Sequence, residues 1–158
     1  MSAIFDLPAE THIVNALPPL DIDAAAQTTD WLNLKNASAV YFIVSLGVTG
    51  AASTLTVEEA TDASGTSNTA IAFKYRAEDT AAGDTLDAGY TAATSSGFAM
   101  STNDGVFYVI RVDAAALSDG SPYVAVQLTD PGAATFGQVT AILVNPRYAQ
   151  DVTPTAIT

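Results

Sequence analysis

Val40-Tyr41-Phe42-Ile43-Val44-Ser45-Leu46 decides how this chain folds. Successive side chains of an extended backbone point to opposite faces, so Val40, Phe42, Val44 and Leu46 share one face and Tyr41, Ile43 and Ser45 the other. One wholly apolar face and one mixed face predict a central strand of a sheet. Working outward, Thr54-Leu55-Thr56-Val57-Glu58 follows the turn Gly47-Val48-Thr49-Gly50 and alternates more sharply, with Leu55 and Val57 on one side and the threonines and Glu58 on the other. That is the pattern of a half-buried antiparallel strand. Residues 70–76 repeat it with Ile71, Phe73 and Tyr75 inward, and residues 123–129 with Val124, Val126 and Leu128 inward. A further strand over 138–144 ends at Asn145-Pro146, and upstream Leu32 and Leu34 share one face of a short strand.

Asn103-Asp104-Gly105 separates Phe98-Ala99-Met100 from the run Val106 to Val112 and predicts a β-hairpin, because glycine supplies the positive φ of a tight turn. Asp113 then offers an N-cap for one helical turn over 113–117, stopped by Asp119-Gly120. Residues 77–96 are small, polar and acidic, with Leu86 and Tyr90 as the large apolar anchors of a long loop. Seven strands, with one more in the N-terminal segment or this loop, are spaced too closely for crossover helices. They predict an all-β fold: an antiparallel β-sandwich, jelly-roll-like, with an extended N-terminal arm. A jelly roll and an immunoglobulin-like sandwich share these periodicities, so strand order stays open.

Residues 1–30 hold five acids, no base, and Pro8, Pro18 and Pro19, and form the expected arm. The sandwich domain is expected over 31–149 and a polar C-terminal tail over 150–158. Too poor in apolar residues to build a core, the arm is expected to lie along a neighbouring subunit, anchored by Ile13, Val14 and Leu17.

A length of 158 residues suits one domain. Seventeen acids against five bases give a net charge of -12, which repels nucleic acid and anionic membranes. Charged residues are only 14% and hydrophobic ones 49%, which argues against disorder. With no cysteine, disulfides, thiolate metal sites and thiol nucleophiles are excluded. A single histidine, His12, makes a His-dependent triad or zinc cluster improbable. The N-terminus has no basic region before an apolar run, and no stretch approaches the roughly 18 apolar residues of a membrane span. Gly47, Gly50 and Gly65 flank strands instead of opening a helix, so no phosphate loop is expected.

The acids are scattered. Asp21-Ile22-Asp23 and Asp62-Ala63-Ser64-Gly65-Thr66 hold fragments of a calcium loop and read as acidic turns. Glu58 and Glu59 are strand neighbours on opposite faces, so they share no substrate and read as a solvated strand end. The expectation is a protein with no catalytic residues, no cofactor and no metal. What remains is surface. If Leu32 and Leu34 face the core, Trp31 faces away, as a partner anchor or under the arm of its own chain. Phe107, Val109 and Arg111 alternate with Tyr108, Ile110 and Val112, and a sandwich covers only one of these two faces. An oligomer interface, a lattice partner or the arm covers the other. The candidate partner contacts are therefore Ile13, Val14, Leu17, Trp31, Phe107 and Val109.

The stretches 31–47 (WLNLKNASAVYFIVSLG), 54–73 (TLTVEEATDASGTSNTAIAF), 117–130 (LSDGSPYVAVQLTD) and 141–148 (AILVNPRY) resemble a group of small tailed-bacteriophage virion proteins that accompany the capsid gene. The resemblance covers about three quarters of the chain and includes no catalytic motif. It implies a capsid decoration or cement protein, with the major capsid protein and further copies of the chain as partners. A strongly anionic protein is poorly placed against packaged DNA, so the outer capsid surface is the expected location, with no nucleic acid and no membrane as partners. The competing reading is a jelly-roll binding module of a phage fibre or spike that recognises a host carbohydrate or receptor through Tyr90, Tyr123 and Tyr148.

Overall fold

The computed structural model describes residues 6–23, 25–80, 83–146 and 157. Two antiparallel sheets pack face to face. Across the large sheet the order is β1 (His12–Asp21), β12 (Thr135–Pro146), β4 (Ala37–Thr49), β10 (Phe107–Asp113), β7 (Phe73–Glu78) and β8 (Thr91–Ala93). Across the small sheet it is β2 (Gln27–Thr28), β11 (Tyr123–Leu128), β5 (Thr54–Ala60) and β6 (Thr69–Ile71), with β3 (Leu32–Asn33) also on β11 and β9 (Phe98–Ala99) also on β5. The pairs are nested: β1 with β12, β2 and β3 with β11, β4 with β10, β5 with β6. A long antiparallel hairpin rolled up so that its successive pairs alternate between two layers is a jelly roll, and this settles the strand order that periodicity leaves open.

The core lies between the sheets. Phe42, Val44, Leu55, Val57, Ile110, Val124 and Val126 are fully buried there, as the alternation predicts, and Phe73, Tyr108 and Leu143 are nearly so. Ile71 is only half-buried, because three-residue β6 forms an edge of the small sheet. Near β7 the layers are closed by aromatics: Tyr75 stacks on Phe98 with ring centroids 3.8 Å apart, and Phe73 and Tyr108 pack around them.

Residues 12–21 are extended, as expected, but inside the sandwich. They pair with β12 from His12 opposite Leu143 to Asp21 opposite Phe136, and Val14, Ala16, Leu17 and Ile22 are buried in the chain's own core. Few apolar residues suffice because an edge strand buries only one face. Register shifts between Asn15 and Leu17 and between Leu17 and Leu20 absorb Pro18 and Pro19, which lack an N–H and are tolerated at a sheet edge. The sandwich therefore begins at β1, not at residue 31, and Val14 and Leu17 are unavailable to a neighbour. The expected tail over 150–158 lies outside the described residues except for Ile157.

Two local expectations also change. The run 70–76 divides at Ala72, where the chain leaves the small sheet as β6 and enters the large one as β7. β9 and β10 are not a hairpin, since β9 pairs with β5 in one sheet and β10 with β4 and β7 in the other. Gly105 does have φ +70, but the turn is tied to the end of β4: the Gly105 N–H donates to the Gly47 carbonyl at 3.0 Å and the Asp104 carboxylate accepts the Thr49 N–H at 2.7 Å. The helical turn over 114–116 forms as a 3-10 turn, although Asp113 makes no side-chain cap to it and pairs with Arg111 instead.

Candidate interaction face

Because β4 lies between β12 and β10, three of its outward residues, Tyr41, Ile43 and Ser45, seed a contiguous surface. Tyr41 stands between Ile142 and Arg111, Ile43 between Thr140 and Val109, and Ser45 between Gln138 and Phe107. β1 extends the first two rows with Ile13 beside Ile142 and Asn15 beside Thr140. Strands about 4.8 Å apart, with like-facing residues about 6.6 Å apart along each, bring such side chains into mutual contact. Ile13 is 45% exposed and Phe136, farther along β12, is 50% exposed. Over β1, β12 and β4 the rows of Tyr41, Ile43 and Ser45 hold no charged side chain, on a chain of net charge -12, and the Phe136 row brings in Asp21 of β1.

On the opposite side, charge begins at β10 and β7. Arg111 binds the Asp113 carboxylate at 2.7 Å and lies 5.9 Å from the centroid of the Tyr41 ring. The hydrogen bond to Asp113 is the first cause of a guanidinium pKa above its ordinary value. Lys74 neighbours Arg111, Arg76 neighbours Val109, and Glu78 neighbours Phe107. This side of the face is roofed by residues 83–90. The buried Glu78 carboxylate accepts the N–H groups of Thr80 at 3.1 Å and Thr85 at 2.6 Å. Arg76 Nε donates to the Asp87 carbonyl at 2.6 Å, and the Asp87 N–H donates to the Ala77 carbonyl at 2.9 Å. Arg76 also lies 6.0 Å from the centroid of the Tyr90 ring. Burial foremost, then the Tyr41 phenol, holds the Tyr90 pKa above the usual tyrosine value, against the lowering pull of Arg111 and Arg76. Through Tyr90, which hydrogen-bonds the Tyr41 side chain, the roof reaches the first row of β4.

Of the sequence candidates, Ile13, Phe107 and Val109 meet on this face. Trp31 is elsewhere. Leu32 pairs with Val124 and faces the core, so Trp31 points out from the small sheet, where it is half-buried against Gly65. The 61–68 loop covers it at Gly65. Tyr41, Ile43 and Ile142 were not among the candidates, because each becomes part of a patch only through neighbours on other strands.

Glu58 and Glu59 are buried, which corrects their reading as a solvated strand end. They do diverge: Glu58 accepts from the Asn68 side-chain amide, whereas Glu59 accepts the Ser118 N–H at 2.8 Å. Burial raises the Glu58 pKa. The Asp62 carboxylate accepts the Ser64 and Thr66 N–H groups, and that of Asp21 accepts those of Asp23 and Thr135, so both serve as backbone turn acceptors. Among the described residues no cluster of three or more His, Asp or Glu is placed to hold a metal, and no helix is long and apolar enough to cross a membrane. Tyr123 lies in the small sheet, whereas Tyr90 lies in the loop before β8 over the large sheet, so they form no common platform, and Tyr148 lies outside the described residues. The chain matches no protein family, no curated protein and no solved structure.

Proposed function

We propose that this chain is a non-enzymatic virion structural protein, a capsid decoration or cement protein that binds the outer surface of a phage head and stabilises it. The observation that carries the reading is the group of outward residues Ile13, Ile142, Ile43 and Thr140 on β1, β12 and β4, largely apolar and without a charge, on an otherwise strongly acidic jelly roll. Such an area makes protein contacts, and adhesion to a repeating shell needs area and multiplicity more than chemistry. The buried carboxylates support the same reading, since Glu58, Glu59 and Glu78 each hold a loop in place. Its protein neighbours are the major capsid protein and further copies of the chain. A net charge of -12 is repelled by packaged DNA and favours the outside of the shell.

The test is heat release from particles saturated with the protein against particles stripped of it, together with a count of copies per particle by mass. A ligand of the assembled state stabilises that state by mass action, so saturated particles are expected to release their contents at a higher temperature. Coincident release curves overturn the proposal. A count of only a few copies per particle points to the fibre or spike reading instead.

A further inference from the structure

We infer that Asp119-Gly120 is a site of covalent self-modification, where the chain rearranges through a cyclic imide to isoaspartate, while the fold holds the identical pair Asp104-Gly105 back. The sequence contains Asp-Gly twice, at these two places. In such a pair the glycine nitrogen can reach the aspartyl side chain, because no side chain on the following residue stands in its way. Both pairs lie in exposed turns, so exposure does not separate them. Their hydrogen bonds do.

At Asp104-Gly105 both reacting groups are engaged. The Gly105 N–H donates to the Gly47 carbonyl at 3.0 Å, and the Asp104 carboxylate accepts the Thr49 N–H at 2.7 Å. Bringing nitrogen and carboxyl together would break both ties to the end of β4. The Asp119-Gly120 turn is closed by one bond, from the Ser121 N–H to the Ser118 carbonyl at 3.0 Å, which leaves the central peptide unbound. Among the described residues none bonds the Gly120 N–H or the Asp119 carboxylate. Gly120 has φ +85, the third position of a type II turn, and that peptide can rotate toward the type I geometry because glycine accepts either sign of φ. The rotation moves the Gly120 nitrogen relative to the Asp119 carboxyl group without opening the turn.

The chemistry needs nothing but water. The Gly120 nitrogen attacks Cγ of the protonated Asp119 carboxyl group, an N–C bond replaces a C–O bond, and the hydroxyl leaves with the amide proton as water. Water then opens the imide. Attack at Cγ restores aspartate, whereas attack at the main-chain carbonyl yields isoaspartate, of unchanged mass and with one extra main-chain bond. That bond falls between two anchors, the Ser118 N–H on the Glu59 carboxylate and the Pro122 carbonyl on the Leu34 N–H, each at 2.8 Å.

The test ages the full folded chain at neutral pH and body temperature for several weeks, then maps it by trypsin digestion and mass spectrometry with electron-transfer fragmentation. Arg76, Arg111 and Arg147 place Asp104 on the peptide 77–111 and Asp119 on 112–147. Isoaspartate is expected to accumulate at 119 on the order of tenfold faster than at 104, the ratio reflecting how seldom the doubly bonded turn opens. In the same chain unfolded in urea, the two pairs are expected to react at similar rates. Absence of isoaspartate at 119, or equal or faster reaction at 104 in the folded chain, overturns the inference. A preference for 119 that persists unchanged in urea also overturns it, since the local sequence and not the fold would then set the site.

Discussion

Val14 stands directly across from Ala141 in the pairing of β1 with β12, and both are buried between the sheets. This one relationship joins residues near the two ends of the chain and makes the N-terminal segment part of the fold. Leu17→Ala is expected to cost about 2–5 kcal/mol, the range for truncating a buried leucine, as measured by urea unfolding. Deleting residues 1–17 removes Val14, Ala16 and Leu17 together and exposes the edge of β12, so the cooperative unfolding transition should be lost. A truncated chain that melts like the full one would show that β1 is dispensable.

Gly65 closes on the Trp31 indole with φ +69, and a Cβ at that position would overlap three atoms of the ring. Gly65→Ala therefore meets both a left-handed backbone conformation and a side-chain clash, for an expected loss of about 1–3 kcal/mol. Trp31 is the only tryptophan, so fluorescence reports on this contact alone. Its emission should shift to the red as the indole moves into water. Unchanged emission and stability would mean that the 61–68 loop does not cover it.

Glu58 gives a pH dependence whose sign follows from its raised pKa. Between the ordinary value of 4.5 and the higher folded value, the folded state holds more protons than the unfolded one. The stability this group contributes is thus fully present below pH 4.5 and is lost as pH rises through the folded pKa. Glu58→Gln keeps an acceptor for Asn68 and removes the ionisation. The variant should melt above the wild type at pH 7, with the gap closing at pH 4. Parallel melting curves across that window would refute the assignment.

Glu78 holds the roof over one side of the large sheet. Glu78→Ala takes the acceptor from the Thr80 and Thr85 N–H groups. Their hydrogen exchange should accelerate on the order of tenfold, as expected for losing about 1.4 kcal/mol of local protection, while exchange in β4 and β12 stays slow. Equal acceleration throughout would mean that the carboxylate supports the whole sandwich and not the loop.

Phe107 and Val109 illustrate how much of the surface was legible in advance. Alternation along β10 shows that they face away from the core, and they do. That their neighbours are Ser45 and Ile43, and that Thr140 and Gln138 lie one strand farther on, comes only from register. The uncharged rows belong to three strands, β1, β12 and β4, drawn from both halves of the chain, and no window of sequence contains them. Arg76, Arg111 and Tyr90 likewise look like scattered residues until β7, β10 and the loop before β8 bring them together.

The sequence alone determined the all-β class, most of the strands and most of the core, because side-chain alternation is a local consequence of an extended backbone. Phe42, Val44, Leu55, Val57, Val124 and Val126 could be placed inward from their immediate neighbours. Tertiary structure alone decided which strands pair. Asp104 and Gly105 satisfy the local chemistry of a hairpin, yet the strands on either side belong to different sheets, since Phe98 stacks on Tyr75 and Gly105 bonds to Gly47. It also decided that a proline-containing, acid-rich N-terminal segment is a strand: an edge strand needs only a few inward apolar residues, and whether Val14 and Leu17 find a face to fill depends on β12, more than a hundred residues away. Alternation states which side of a strand is apolar; only the assembled sheets supply what that side is buried against.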